Sequence, residues 1–380
     1  MKNKNKLIIY LSIPIILFLI YIFLPGIWFG IYVQSNQLTE DDYENFHRTL
    51  HKNLKENIYN YDYLLVSEGY FVFAKNNFTQ IKKLDSGIFN FNYFEKTKDN
   101  TFFMKFLNSN SGKIISGNDA IQYFNPYRPD GFSTSHFKEI TNHIGYCKDK
   151  NNNYYFIKSG NNFYNFVKLD KNFNRQIEKQ FENISQINGY IYTKMVCLNN
   201  KIYANVDREL IIFDTISGNF KKTNISKNFE IMNIETNGKN IFFTGRDFEE
   251  IGDYGYDKPI LGLYNLTSNE TKIKYTSKPY QKIIFNDFNN KLYTIHKEND
   301  FNTSLIEINQ NNLNLNFTQI PINFVGNPDF SINKDLVLIS NVIYNISSNK
   351  AIKMKDLYYN SHWINLIDLD FVKNIDYNYN

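Results

Sequence analysis

The sequence predicts an all-β fold built from small repeated sheets, and three observations carry that prediction. First, Phe and Tyr number 34 and 29 among 380 residues while Pro numbers only 8, and aromatic residues suit pleated, half-buried strands. Second, an apolar run ending in Asp or Asn occurs seven times: Asp85 after IKKL, Asn125 after IQYF, Asp170 after FVKL, Asp214 after LIIF, Asn265 after LGLY, Asn309 after LIEI and Asn345 after NVIY. A small polar turn follows most copies, such as TISG after Asp214 and TSN after Asn265. Third, a polar turn and an aromatic or branched strand precede each copy: EGYFVFA, DNTFFMKF, NNNYYFIK, NNKIYANV, GKNIFFTG, NNKLYTIH and NKDLVLIS.

The period is about 40–50 residues, with roughly four short strands per unit. That pattern resembles a β-propeller of seven four-stranded blades over residues 59–380. Radial stacking buries both faces of each sheet and leaves only short edges. The resemblance is to the architecture alone, since the WD dipeptide, the kelch double glycine and the Asp-box are missing and Trp28 and Trp363 are the only tryptophans. Six or eight blades, or a large β-sandwich, are the competing arrangements. The first unit is short, and strand-like Trp363–Val372 is expected to complete it and close the ring.

Two elements are expected before the propeller. Lys2, Lys4 and Lys6 occupy residues 1–6, and Leu7–Val33 carries no charge. At 1.5 Å per residue, Leu7–Leu24 is long enough for the ~30 Å hydrocarbon core. Pro25-Gly26 marks its end, and Trp28 and Tyr32 suit the interface. The apolar run exceeds a signal-peptide core and no small-residue cleavage site follows, so residues 7–33 read as an uncleaved signal anchor. Lysines before the span and Glu40, Asp41 and Asp42 after it place the N-terminus in the cytoplasm and the C-terminal domain outside, in a periplasm or at the cell surface. Residues 39–58 then carry Tyr43, Phe46, Leu50, Leu54 and Ile58 on one stripe, a juxtamembrane amphipathic helix.

Candidate chemistry is sparse. The net charge is +4 without a Lys/Arg block, which argues against nucleic-acid binding. No Walker A, G-x-G-x-x-G, G-x-S-x-G or C-x-x-C motif occurs, and no cofactor or metal is expected. His47 and His51 stand four apart without a completing carboxylate. The alternating oxygens of Asp149, Asn151 and Asn153, and of Asp170, Asn172 and Asn174, lack the glycine and terminal Glu of a calcium loop and read as Asx turns. Cys147 and Cys197 hold matching places in adjacent units. They are a candidate disulfide, although two buried free thiols are the more ordinary outcome.

Two loops break the rhythm. Asn125–Phe137 holds Tyr127, Arg128 and Asp130; Gly245–Pro259 holds Arg246, Asp247, Glu249, Glu250, Asp253, Tyr254 and Asp257. Loops on a rigid scaffold carry function out of proportion to their length, so these are the candidate binding residues. A solvated hairpin extension is the plainer reading of the second loop. With no catalytic motif, the leading expectation is a membrane-anchored extracytoplasmic platform that binds a protein partner, with a glycan as the second candidate. The alternatives are an envelope carbohydrate-active hydrolase or lyase and a purely structural repeat domain.

Overall fold

The structure is a computed structural model that describes residues 56–67, 70–85, 89–96, 102–110, 113–114, 120–124, 132–133, 143–149, 151, 153–159, 163–170, 175–182, 195–206, 209–217, 219–223, 225, 229–251, 257–280, 282–299, 302–321, 329–354 and 363–370. The expected membrane span and most of the juxtamembrane helix lie outside these residues. Among the described residues no helix is long and apolar enough to cross a membrane. Residues 56–58 are helical, and Ile58 is fully buried.

Among the described residues seven antiparallel sheets follow one another, six of four strands and one of five. Blade 1 takes Tyr63–Ser67, Tyr70–Ala74 and Ile81–Asp85 from the N-terminal side, and Trp363–Asp368 from the far end of the chain. Blade 2 is Phe89–Lys96, Phe102–Asn110, Ala120–Phe124 and Phe132–Ser133, with Lys113–Ile114 as a side strand. Blade 3 is His143–Lys148, Tyr154–Ser159, Phe163–Leu169 and Arg175–Glu182, and blade 4 is Met195–Leu198, Lys201–Val206, Glu209–Asp214 and Phe220–Lys222. Blade 5 is Phe229–Thr236, Asn240–Ile251, Asp257–Asn265 and Thr271–Tyr275. Blade 6 is Ile283–Asn286, Lys291–Asn299, Asn302–Ile308 and Leu315–Gln319, and blade 7 is Phe330–Asn333, Leu336–Ile339, Val342–Asn345 and Lys350–Lys353. The first strands of blades 3 to 7 touch in succession, that of blade 7 touches Trp363–Asp368, and this strand touches the first strand of blade 2. That order is a β-propeller.

In blades 5 to 7 the apolar runs are continuous rather than alternating because the sheet is buried on both faces. In blade 5, Ile241 and Phe243 join a cluster with Tyr203 and Ile212 of blade 4. Phe242, between them, joins Ile283 and Leu292 of blade 6. Blade 6 repeats this, with Tyr293 and Ile295 packed on Val337 and Tyr344 of blade 7. Leu338 of blade 7 in turn meets Leu65, Val72 and Leu366 of blade 1. Each fully buried side chain of this kind contributes about 1.5–3 kcal/mol, so the core is a set of interblade layers rather than one centre.

The C-terminal strand closes the ring. Trp363–Asp368 pairs antiparallel with Tyr63–Ser67, with Leu65 opposite Leu366 and Tyr63 opposite Asp368. This closure shifts the phase of the first repeat. EGYFVFA supplies the third strand of blade 1, not the second, and Asp85 ends the outer strand rather than the third. The matching turn is residues 75–80, closed by Lys75 N–H to Gln80 C=O at 3.0 Å. The Asx acceptor there comes from Asp62, whose carboxylate takes the Asn76 N–H at 2.8 Å.

Candidate functional site

In blades 4 to 7 the repeated Asp or Asn is a turn former. The Asp214 carboxylate accepts from Ile216 N–H at 3.0 Å and Ser217 N–H at 2.8 Å. Asn265 accepts from Thr267 and Ser268, and Asn309 from Asn311 and Asn312, in the same manner. The Ser217 and Ile216 donors hold the Asp214 carboxyl below the usual range. Asp149 is likewise occupied, by the N–H groups of Asn151 and Asn153, the Asn153 amide and the Tyr155 hydroxyl. Burial pushes its carboxyl up, but these bonds outweigh it and the net shift is down. Burial first, and then Asp149, push Tyr155 up to about 12. Among the described residues no cluster of His, Cys, Asp and Glu is placed to hold a metal.

Turn positions define two faces of the ring. The turn after the third strand bonds to the turn between the first two, as in Thr215 N–H to Asn200 C=O and Ile346 N–H to Asp335 C=O, both at 2.8 Å. These tight turns share one face. The second strands end, and the third strands begin, on the other. The third strand of blade 2 ends at Phe124, and Tyr127, Arg128 and Asp130 lie outside the described residues. Residues 245–251 and 257–259 belong to the second and third strands of blade 5.

That second segment is largely strand. The second strand of blade 5 runs on to Ile251, which pairs with Asp257 at the start of the third. Glu249, Glu250 and Asp257 thus stand in strands rather than a loop, while Asp253 and Tyr254 lie outside the described residues. The base of the hairpin is braced on both sides. Arg246 pairs with Glu230 of the first strand, and its guanidinium lies 5.9 Å from the Phe248 ring centre. Asp247, 4 % exposed, accepts from the Tyr275 hydroxyl at 2.7 Å. The Lys258 ammonium sits 4.4 Å from the Tyr275 ring centre. Gly245 permits this close approach, because a Cβ there would stand 2.0 Å from the Glu230 carbonyl oxygen.

Cys147 and Cys197 are joined in a disulfide with Cα atoms 5.6 Å apart. The bridge ties the first strands of blades 3 and 4, which lie against each other. Burial of a small apolar thiol favoured free cysteines from sequence; the ring places the two strands close enough for the bond instead.

A further feature has no signal in the sequence. Where blades 6, 7 and 1 meet on the tight-turn face, a cleft of about 340 Å³ is lined by Tyr63, Asn76, Phe78, Phe288, Lys334 and Asn345, among others. Tyr63, Asn76 and Phe78 of blade 1 meet the residues of blades 6 and 7 only on ring closure.

No known protein family and no curated protein matches this chain. Solved structures do resemble it. A protein from Lactobacillus plantarum superposes with a TM-score of 0.54 at 8% identity, over 80% of this chain and 98% of that one. A periplasmic gluconolactonase of Pseudomonas aeruginosa gives 0.53 at 9% identity, over 81% and 98%. A protein from Bacteroides uniformis described as a 6-phosphogluconolactonase gives 0.50 at 12% identity, over 80% and 98%. At such identities the likeness is one of fold, and the chain shares a propeller scaffold that spans nearly the whole of each of these proteins.

Proposed function

We propose that this chain is a membrane-tethered β-propeller held outside the cytoplasm and directed at a sugar derivative of the cell envelope, as a hydrolase or lyase. The Cys147–Cys197 bridge carries the compartment, because such bonds persist where the environment is oxidising. The charge-free Leu7–Val33 supplies the tether, and Lys2, Lys4 and Lys6 set its orientation. Two of the similar structures bear gluconolactonase names, one of them periplasmic, which supports a sugar-derived substrate. Glu249 and Glu250, near the tip of the blade 5 hairpin, are the carboxylates assigned to the chemistry. The full chain, purified in detergent, is expected to open sugar δ-lactones or to cleave uronate oligosaccharides. General acid–base catalysis is worth about 10²–10⁴-fold, so Glu249→Gln with Glu250→Gln should lower turnover by at least about 10²-fold. A folded protein inert on both substrate classes contradicts the reading.

The braced hairpin favours a second reading, a protein-docking platform. Its base is fixed by Arg246–Glu230 on one side and Asp247–Tyr275 on the other, which lowers the ordering cost of docking a partner there. In intact cells, crosslinking should then recover one specific partner, and replacing residues 249–257 by a two-residue turn should abolish its capture. Unchanged capture rules the hairpin out.

A further inference from the structure

We infer a second ligand site, independent of the hairpin face: the cleft between blades 6, 7 and 1 is built to bind a neutral saccharide. One buried amide sets its geometry. Asn286, 6 % exposed, donates from Nδ2 to the Lys334 carbonyl at 2.8 Å and accepts the Phe288 N–H at 3.1 Å on Oδ1. The same side chain thus fixes the turn of blade 6 and docks it on the turn of blade 7. Phe288 is held in that turn, 62 % exposed as a residue, and it lines the cleft. An aromatic ring held open to water by its own turn contributes little to the fold and is available to a ligand.

The other walls are equally fixed. Asn333 Nδ2 donates to Leu366 C=O at 2.9 Å, and Lys334 Nζ meets the Asp368 carboxylate at 2.6 Å, so the blade 7 turn is tied to the closing strand. On the blade 1 side, Tyr63 and Phe78 stack with ring centres 4.9 Å apart and 28° between planes. The Asn76 N–H is held by Asp62. Three blades therefore converge on one preorganised opening, and its volume of about 340 Å³ is at the lower end of the roughly 300–1,000 Å³ typical of small-molecule sites.

The lining selects the ligand class. A pyranose offers an apolar C–H face and a rim of hydroxyls that both donate and accept. The Phe288 ring suits the face; the Asn76 amide, the Asp335 carboxylate and the Lys334 ammonium suit the rim, while Asn345 Oδ1 is taken by Ser348. An acidic ligand is disfavoured, because the Lys334 charge is already met by Asp368 and Asp335 stands beside it. A peptide strand finds no partner either, since the walls are turns rather than a sheet edge.

Saturation-transfer NMR on the full chain in nanodiscs tests this with maltose, cellobiose and chitobiose as probes, and digalacturonate and a short mixed peptide pool as comparators. At least one neutral disaccharide should receive saturation. Phe288→Ala should weaken that binding at least tenfold, and Asn286→Ala should weaken it too. Phe317→Ala, which removes a ring 55 % exposed on the outer strand of blade 6, should leave it unchanged. Silence from all three disaccharides, equal binding by Phe288→Ala, or preference for digalacturonate or peptide overturns the inference. Phe288→Ala should leave any lactone or uronate turnover intact, so binding without turnover defeats only the enzymatic reading, and turnover without binding defeats only the cleft.

Discussion

Asp368 and Lys334 show how one residue pair sets a pH dependence. Burial pushes the Asp368 carboxyl up, but the Lys334 ammonium and the Asp370 N–H outweigh it and the net shift is down. Lys334 is raised chiefly by its bond to Asp368. A depressed carboxyl stabilises the fold above its unfolded value of about 3.9 and loses that contribution as pH falls through the folded value. A raised ammonium stabilises below its unfolded value of about 10.4 and loses that contribution as pH climbs through the folded value. The seam pair is therefore intact between about pH 4 and pH 10, and Asp368→Asn should flatten the acid limb of a Tm-against-pH curve. An acid limb unchanged by Asp368→Asn would mean the pair is energetically idle. Residue roles of this local kind were legible in sequence: Asp214, Asn265 and Asn309 bond to N–H groups two and three positions on, and a turn that short declares itself by its own residues. Leu313 is one exception, as is Phe78 with a φ of +54°. Leu313 holds a φ of +59° while buried to 1 % exposure, and nothing in its identity announces a left-handed turn position.

At the scale of the element, the informative position is Gly262 in the third strand of blade 5. A Cβ there would stand 2.1 Å from the Phe243 ring, which is fully buried against blade 4. Gly262→Ala must displace that ring, and overpacking of a close-packed core costs about 1–3 kcal/mol. Chemical denaturation should show a loss of that size, and Gly262→Ala combined with Phe243→Leu should recover part of it. A neutral Gly262→Ala would show that the blade 4–5 layer is loosely packed. Strands at this scale were legible because burial on both faces makes each one a continuous apolar run. The extent of the blade 5 hairpin was not, because the pairing of Ile251 with Asp257 is a cross-strand relation between a carboxylate-rich stretch and a Pro-bearing one. Neither reads as strand by composition.

For the whole molecule, closure is the decisive event, and it explains both what sequence reached and what it missed. The seven-fold repeat and the use of the tail to complete blade 1 follow from counting phrases. The phase of EGYFVFA does not, because its strand order depends on a partner from the opposite end of the chain. The cleft at the seam is invisible for the same reason. Truncation after Asp356 removes Trp363–Asp368 and the buried Leu366 and Ile367. It should lower Tm by more than about 10 °C and expose apolar surface to a dye; an unchanged Tm would contradict closure by the tail.

The central claim, a propeller displayed outside the cytoplasm, rests on Cys147–Cys197, and mass-tagging of its thiols in cells tests it most directly. Cells are quenched in acid and denatured, and free thiols are capped with a polymer-linked maleimide before electrophoresis. The protein is expected to carry no tag unless reduced first, two tags after reduction, and one tag in unreduced Cys147→Ser. Two tags on the unreduced protein from growing cells would place the domain in a reducing compartment and contradict the claim.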